Sequence, residues 1–372
     1  LSRRIQARAP PRTAGLQAAL LTGDRSGIKP AQAEALRTAG LAHLLAISGL
    51  HMGLLAGGAY FFGAFILACI GPLARRYDMR KWAAVLGICV ATFYLLVSGA
   101  SVSTTRAFIM AVVVFLAVIL NRRAVSMRSV ALAAAITLLL HPESLLSAGF
   151  QMSFSATAAL VVVYRTWANK RTFAPQRNLL ARAWGGFVGL SVTSLVAGLA
   201  TGVFAALNFH RFARYGLLGN ILAMPVFTLV VMPAGFIAIL VMPFGLGLER
   251  WPLWVMGIGL DYVLMIANWV SSIPGALLYL KSANAVVLCL FGLGFVCLCL
   301  GPLKVRLLAG VMVVVSMVIW AKIDLPDMRV SDQARVAFWH PDEVNVLSVD
   351  RVRGDGFGRD RFIEQAGAGQ SE

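Results

Sequence analysis

Carboxylates are scarce through most of this 372-residue chain. Residues 1–321 hold six Asp and Glu against 26 Lys and Arg, a balance of +20, while residues 322–372 reverse it with ten against seven. Charge of either sign is sparse, at 13% of residues, where a soluble domain carries about 25%. That excludes a soluble enzyme held by a single anchor. Cysteine is equally uninformative as chemistry. Cys69, Cys89, Cys289, Cys297 and Cys299 lie in or beside apolar runs, outside any CxxC or other zinc spacing, and read as small hydrophobes. Cys297 and Cys299 are two apart, so on a helix they point to different faces and do not pair. The chain has no GxxxxGK[ST], which excludes a P-loop ATPase, and no HExxH, which excludes a zincin. No serine triad, carboxylate pair, metal cluster or internal repeat stands out. The expectation is a protein that is not an enzyme and needs no cofactor or metal.

What is abundant is apolar length. Hydrophobic residues make up 59% of the chain and gather in segments near 44–70, 82–98, 106–120, 128–140, 148–164, 184–206, 216–242, 252–273, 284–301 and 307–321. This pattern predicts an all-α polytopic membrane protein of about ten transmembrane or partly re-entrant helices with a short soluble C-terminal tail. Alternate breaks carry the positive charge. Arg75, Arg76, Arg80 and Lys81 fill the first; Arg122, Arg123 and Arg128 the next; Arg165, Lys170, Arg171, Arg177 and Arg182 the third; Arg250, Lys304 and Arg306 follow. The opposite side has only Arg211, Arg214, Lys281 and, at a span edge, Arg106. The positive-inside rule places the first set in the cytoplasm and both termini in the periplasm. Three regions follow: a periplasmic N-terminal segment over 1–40, the polytopic domain over 41–321, and an acidic periplasmic tail over 322–372 with one strand-like run, Val344 to Val349. The first forty residues are too polar for a signal-peptide core, and the chain reads as a fragment of a longer protein.

Four stretches place polar groups where hydrocarbon should be, and such groups are costly enough to be functional candidates. The first is HLLAISGLHMG, from His43 to Gly53. On one continuous helix His43 and His51 would be ~12 Å apart along the axis, which prevents them sharing a metal unless the chain bends at Gly49. They are either hydrogen-bonded structural histidines or part of a pore or proton path. Gly49, Gly53 and Gly57 recur every fourth residue, a small-residue face that would let a helix approach and hold Ser48 and His51 in place. The second is SGASVSTTRAF, Ser98 to Phe108, which splits an apolar stretch and closes on Arg106. That guanidinium needs a carboxylate, carbonyls, a phosphate or water, or else snorkels to the headgroups.

The third stretch is HPESLLSAGFQMSF, His141 to Phe154. Ser147, Gln151 and Ser155 fall at i, i+4 and i+8, one polar stripe facing either water or a partner helix. The fourth, LNFHRFARYGLLGNILAMP, interleaves Phe209, His210, Arg211, Phe212, Arg214 and Tyr215. Cations among stacking faces suit single-stranded DNA, and an aromatic belt at the membrane interface has the same composition. Asn220 and Pro225 mark a break in the helix that follows. Asp261 is the one carboxylate well inside a span, a candidate partner for Arg106 or a histidine.

In order along the chain, LLTGDRSGI (Leu20 to Ile28), AGLAHLLAISGLHMG, SVSTTRAFIM, HPESLLSAGFQMSF and YGLLGNILAMP resemble the motifs of the ComEC competence-protein family. The resemblance runs from about Gly15 to Pro225 and more weakly to about Ala321. It marks His43, Ser48, Gly49, His51, Arg106, Pro142, Gln151, Ser153, Asn220 and Pro225 as motif residues. It implies an inner-membrane channel that admits single-stranded DNA during natural transformation. The partners so implied are a periplasmic DNA-binding competence protein, a cytoplasmic helicase or translocase, single-strand binding proteins and membrane lipids, with a homo-oligomer as one possible assembly. Many relatives also carry an OB-like domain before this region and a metallo-β-lactamase-like domain after it; neither is in this sequence. A small-anion or lipid-linked-substrate transporter and an intramembrane metal enzyme are the alternative readings.

Overall fold

In a computed structural model, residues 1–45, 47–70, 77–170, 179–245, 247–323, 328–330, 336–340 and 346–349 are described. Three short helices come first: α1 (Ser2–Arg8), α2 (Ala14–Thr22) and α3 (Pro30–Thr38). The apolar series follows as α4 (Gly49–Cys69), α5 (Met79–Val97), α6 (Val102–Ile119), α7 (Met127–Leu140), α8 (Ala148–Lys170), α9 (Leu179–Phe209), α10 (Gly216–Val226), α11 (Met232–Val241), α12 (Arg250–Ser271), α13 (Ala285–Leu300) and α14 (Leu303–Ala321). A π-helical turn, Phe227–Val231, joins α10 to α11. Each of the ten apolar segments becomes helix. Seven stretches among the described residues are long and apolar enough to cross a bilayer: α4, α5, α6, Trp184–Phe209 of α9, Gly216–Phe244, α12 and α14. Large apolar side chains such as Phe61, Phe62 and Phe65 on α4, and Leu303, Leu307 and Val311 on α14, point outward. This is an all-α polytopic membrane protein. Arg75, Arg76, Arg171 and Arg177, on which part of the orientation rests, lie outside the described residues.

Small polar residues set the helix starts. Asp78, Ser101, Ser126 and Asn284 each accept a first-turn backbone N–H, at the heads of α5, α6, α7 and α13. These amides have no partner within their helix, and hydrocarbon offers them none. Non-helical pairing is confined to two places among the described residues. Strand β1 (Arg211–Ala213) pairs antiparallel with β2 (Leu277–Tyr279), tying the α9–α10 connection to the chain after α12. In the tail, β3 (Met328–Val330), β4 (Val336–His340) and β5 (Val346–Val349) form a three-stranded antiparallel sheet in that order.

The structure draws no packing boundary at residue 40. Ile5, Leu16, Leu21, Leu36 and Leu41 share one buried cluster with Met52 of α4, Phe227 of the π turn, Ile239 of α11 and Leu253, Met256 and Leu264 of α12. Residues 2–38 run beside α12 rather than outside the bundle. Pro10 and Gln17 press on Gly257, and Leu21 presses on Gly235. The Tyr94 hydroxyl of α5 donates to the Leu20 carbonyl at 2.9 Å. At the head of α12, Glu249 is fully buried and its Oε1 accepts from Arg4 Nε at 2.8 Å and from Arg8. Burial disfavours its charged form, but its own backbone amide, the Arg4 hydrogen bond and the charges of Arg4 and Arg8 outweigh that, so the carboxyl sits below its usual range.

The close approaches between helices are not where the glycine repeat placed them. A Cβ on Gly49, Gly53 or Gly57 would meet nothing within 4 Å. The buried face of α4 carries His51, Met52, Leu55 and Ala56, and the glycine row lies beside that face, not on it. Tight contacts run instead through Gly63 against Leu86, Gly87 against Phe115, and Gly219 against the carbonyl oxygen of Ala39.

These contacts make two predictions. Gly219→Ala would drive a methyl into the Ala39 carbonyl and should cost about 1–3 kcal/mol, whereas Gly53→Ala should be neutral or stabilising by up to ~1 kcal/mol through helix propensity. Thermal unfolding of the detergent-solubilised variants checks this ordering. Glu249→Gln should destabilise by about 1–3 kcal/mol, less than a fully enclosed pair because Arg4 and Arg8 keep partial solvent contact. Since its folded pKa is depressed, the carboxylate's contribution is present above its unfolded value of about 4.3 and is lost as pH falls through the folded value. Wild-type melting should therefore drop below about pH 4, and the Gln variant should lose that component of the drop.

Candidate functional site

Three of the four polar stretches form the heads of helices α4, α6 and α8. At the first, Ser48 is extended and caps α4 together with His51. The Ser48 backbone N–H donates to His51 Nδ1 at 3.2 Å, and the Ser48 hydroxyl lies 2.9 Å from the same nitrogen. A ring nitrogen that accepts from an amide carries no proton, which assigns the proton to Nε2. That Nε2–H is buried with no hydrogen-bond partner among the described residues. The ring meets Phe227 of the π turn edge-on, with centroids 5.4 Å apart. His43 precedes this helix, exposed, in the 3₁₀ turn Ala42–Leu45. The chain does turn just before Gly49, at extended Ser48, so the two histidines occupy different elements. Among the described residues no group of three His, Cys, Asp or Glu side chains is placed to hold a metal.

At the head of α6, Ser101 accepts the Thr104 amide, and Arg106 follows on the first turns. Arg106 is 7% exposed, and its Nε has no hydrogen-bond partner. It forms no ion pair among the described residues. The guanidinium lies over the backbone of Gly149, where an added Cβ would fall 2.7 Å from one terminal nitrogen. The second and third polar stretches therefore meet directly. The first and second meet through Gly23, whose Cβ position lies 2.9 Å from the Ser98 carbonyl oxygen and 3.7 Å from the Ile47 side chain.

The polar stripe of the third stretch faces protein. Ser147 precedes α8; its hydroxyl donates to the Ser144 carbonyl at 2.7 Å and accepts the Phe150 amide at 3.3 Å. Gln151 Oε1 accepts from Asn208 of α9 at 3.0 Å. The Ser155 hydroxyl is buried and donates to the Met152 and Ala200 carbonyls at 3.0 and 3.2 Å. Helix-to-helix bonding is thus what Gln151 and Ser155 do. Ser153 is half-buried, its carbonyl accepting from Thr157. Phe150 and Phe154 pack with Ile109, Val113 and Ala133 in an apolar cluster that joins α6, α7 and α8.

The fourth stretch is a ribbon, not a free basic surface. Arg211 pairs with Glu34 at 2.8 Å and lies 5.5 Å from the Tyr279 ring centroid. Phe212 turns onto Gly202, Phe209 is exposed, and Arg214 lies over Tyr215 at 5.9 Å. His210, at φ +57°, makes the turn into β1. Asn220 is half-buried on α10. The expected break there is a π turn instead: Pro225 lies inside α10, and the helix winds on through Phe227–Val231 into α11. Asp261 corrects a second expectation. Its partner is Arg12 at 3.4 Å, both side chains substantially exposed, and not Arg106 or a histidine. Sequence reasoning passed over Gly149, Asn208, Glu34 and Gly23. Gly149 stood inside a quoted motif, but nothing in the sequence tells which side chain lies on it.

The Competence protein family profile matches residues 20–305. The chain is 32% identical over 308 residues to Competence protein ComA of Neisseria gonorrhoeae, covering 80% of this chain and 40% of that protein. It is 28% identical over 233 residues to ComE operon protein 3 of Bacillus subtilis, covering 63% of this chain and 27% of the relative. It is 29% identical over 229 residues to Recombination protein 2 of Haemophilus influenzae, covering 59% and 27%. The chain thus spans between about a quarter and two-fifths of the length of these curated relatives. No solved structure matches it. The matched region takes in every helix head described above, together with the buried arginine and the capped histidine that they carry, and on that match the chain belongs to the Competence protein family.

Proposed function

We propose that this chain is the membrane-embedded part of a DNA-uptake system, a channel through which single-stranded DNA crosses the bacterial inner membrane in natural transformation. The observation that carries the reading is a buried arginine with no carboxylate partner among the described residues, at the meeting of α6 and α8, in a chain of the Competence protein family. A strand of phosphodiesters cannot cross hydrocarbon and needs polar groups between helices. A path crowded with cations would hold the strand, because conduction requires release as well as entry. Arg106 supplies a cation, and the heads of α4, α6 and α8 supply polar atoms around it. In this reading the basic loops lie in the cytoplasm and both termini in the periplasm, an orientation that the charge pattern supports.

The channel itself does no bond chemistry in this reading and is not an enzyme. A membrane potential that is negative inside opposes an entering anion by about 2.3 kcal/mol per charge per 100 mV. The driving force is therefore a partner: a cytoplasmic helicase or translocase, with single-strand binding proteins trapping the product. A periplasmic DNA-binding competence protein delivers the substrate. The exposed apolar faces of α4 and α14 meet membrane lipids or a second copy in a homo-oligomer.

In a transformable host carrying the gene, His51→Ala and Arg106→Ala should leave DNA binding at the cell surface intact. Transformants should fall by about two orders of magnitude or more, and DNase-protected DNA should not reach the cytoplasm. Normal transformation in both variants, at normal protein levels, would overturn the assignment of these residues.

A further inference from the structure

Arg106 lies where a cation should not be left alone. We infer that its guanidinium and the first turn of α8 form a docking position for one phosphodiester group of the strand. The inference rests on the channel reading and assigns its point of contact. α8 is 23 residues long, so its head carries the positive end of a full helix dipole. The first-turn amides of Ala148 and Gly149 make no hydrogen bond to a described residue. The amides of Phe150 and Gln151 are already taken by Ser147. Arg106, 7% exposed as a residue, lays its guanidinium against that head and places positive on positive. Glu143, the carboxylate nearest in sequence to the α8 head, is exposed and pairs with His141 at 3.3 Å. An anion between guanidinium and amides removes both costs at once.

The chemistry of the two donors selects the ligand. A guanidinium fork matches two oxygens of a tetrahedral anion, and helix-head amides match the same group. One guanidinium balances the single charge of a phosphodiester. Gly149 is what permits the approach, since any side chain there would displace the guanidinium. A lipid headgroup offers the same phosphodiester, but Arg106 is buried among the helices, with its guanidinium against Gly149 at the head of α8, which favours a strand led between the helices.

The test uses the full chain in a phosphate-free maltoside detergent and a fluorescent oligothymidylate of about twenty nucleotides. Binding is followed by anisotropy across a salt series. For single strands each phosphate contact contributes about 0.7 to the slope of log affinity against log salt. Arg106→Gln should lower the slope by about 0.7 and weaken binding about tenfold at moderate salt. Gly149→Ala, which keeps the charge but moves it, should do the same, while Arg106→Lys should keep the slope and bind more weakly than wild type. Unchanged slopes in both Arg106→Gln and Gly149→Ala would overturn the proposal. So would an Arg106-dependent rise in melting temperature with phosphatidylglycerol but not with the oligonucleotide, since that would assign the site to lipid. Transformation separates the two levels. A lost slope with normal transformation leaves the binding site standing and overturns the assignment of Arg106 to the translocation path; a normal slope with lost transformation overturns the site and leaves that assignment standing.

Discussion

Backbone in hydrocarbon must satisfy its own hydrogen bonds, and this constraint orders the rest of the molecule. It makes every apolar segment a helix. It also makes each helix head a problem, because four amides there have no internal partner. Asp78, Ser101, Ser126, Ser147 and Asn284 are local answers. At α4 the answer is reciprocal, with Ser48 and His51 each bonding the other's backbone. The polar motifs are therefore first of all capping devices. What distinguishes three of them is what the caps leave over among the described residues: a buried imidazole N–H without a hydrogen-bond partner at α4, a guanidinium beside α6 whose Nε has none, and two free amides at α8.

Period and hydropathy made the helices legible. Ten apolar segments were readable because a span leaves no other choice of structure, and the cap residues marked their starts. Packing was less legible. Gly49, Gly53 and Gly57 have the spacing of a contact face, but spacing does not say which face of a helix meets a neighbour, and here the burial lies to one side. Residues 2–38 look polar enough to be external, yet they place Ile5, Leu16 and Leu21 in the shared core while their arginines reach Glu249 and Asp261. The amphipathic pattern of α3 would suit a surface helix as well as one laid along α12. Asp261 was misread for the same reason: depth in a predicted span does not reveal a neighbour supplied by residue 12.

The candidate site was half legible. Arg106, Gln151 and Ser155 could be named because a polar group in an apolar run is conspicuous by cost alone. Their assignment to partners needed the structure. Gln151 and Ser155 are bound to α9, so of the two readings of the stripe, water or a partner helix, these residues take the helix. Arg211 is likewise committed, to Glu34 and Tyr279. Removing these from the list of free polar groups concentrates the electrostatics on Arg106.

Under the proposed channel function, that concentration bears on how a polyanion would move. A strand with one charge per nucleotide gains little from a wall of fixed cations, since each bound phosphate must be released before the next advances. A single docking position held by one guanidinium and two amides has a different consequence. It gives each phosphate a defined stop while costing only one contact to leave. Directionality then has to come from whatever pulls on the strand, because a single symmetric stop favours neither end.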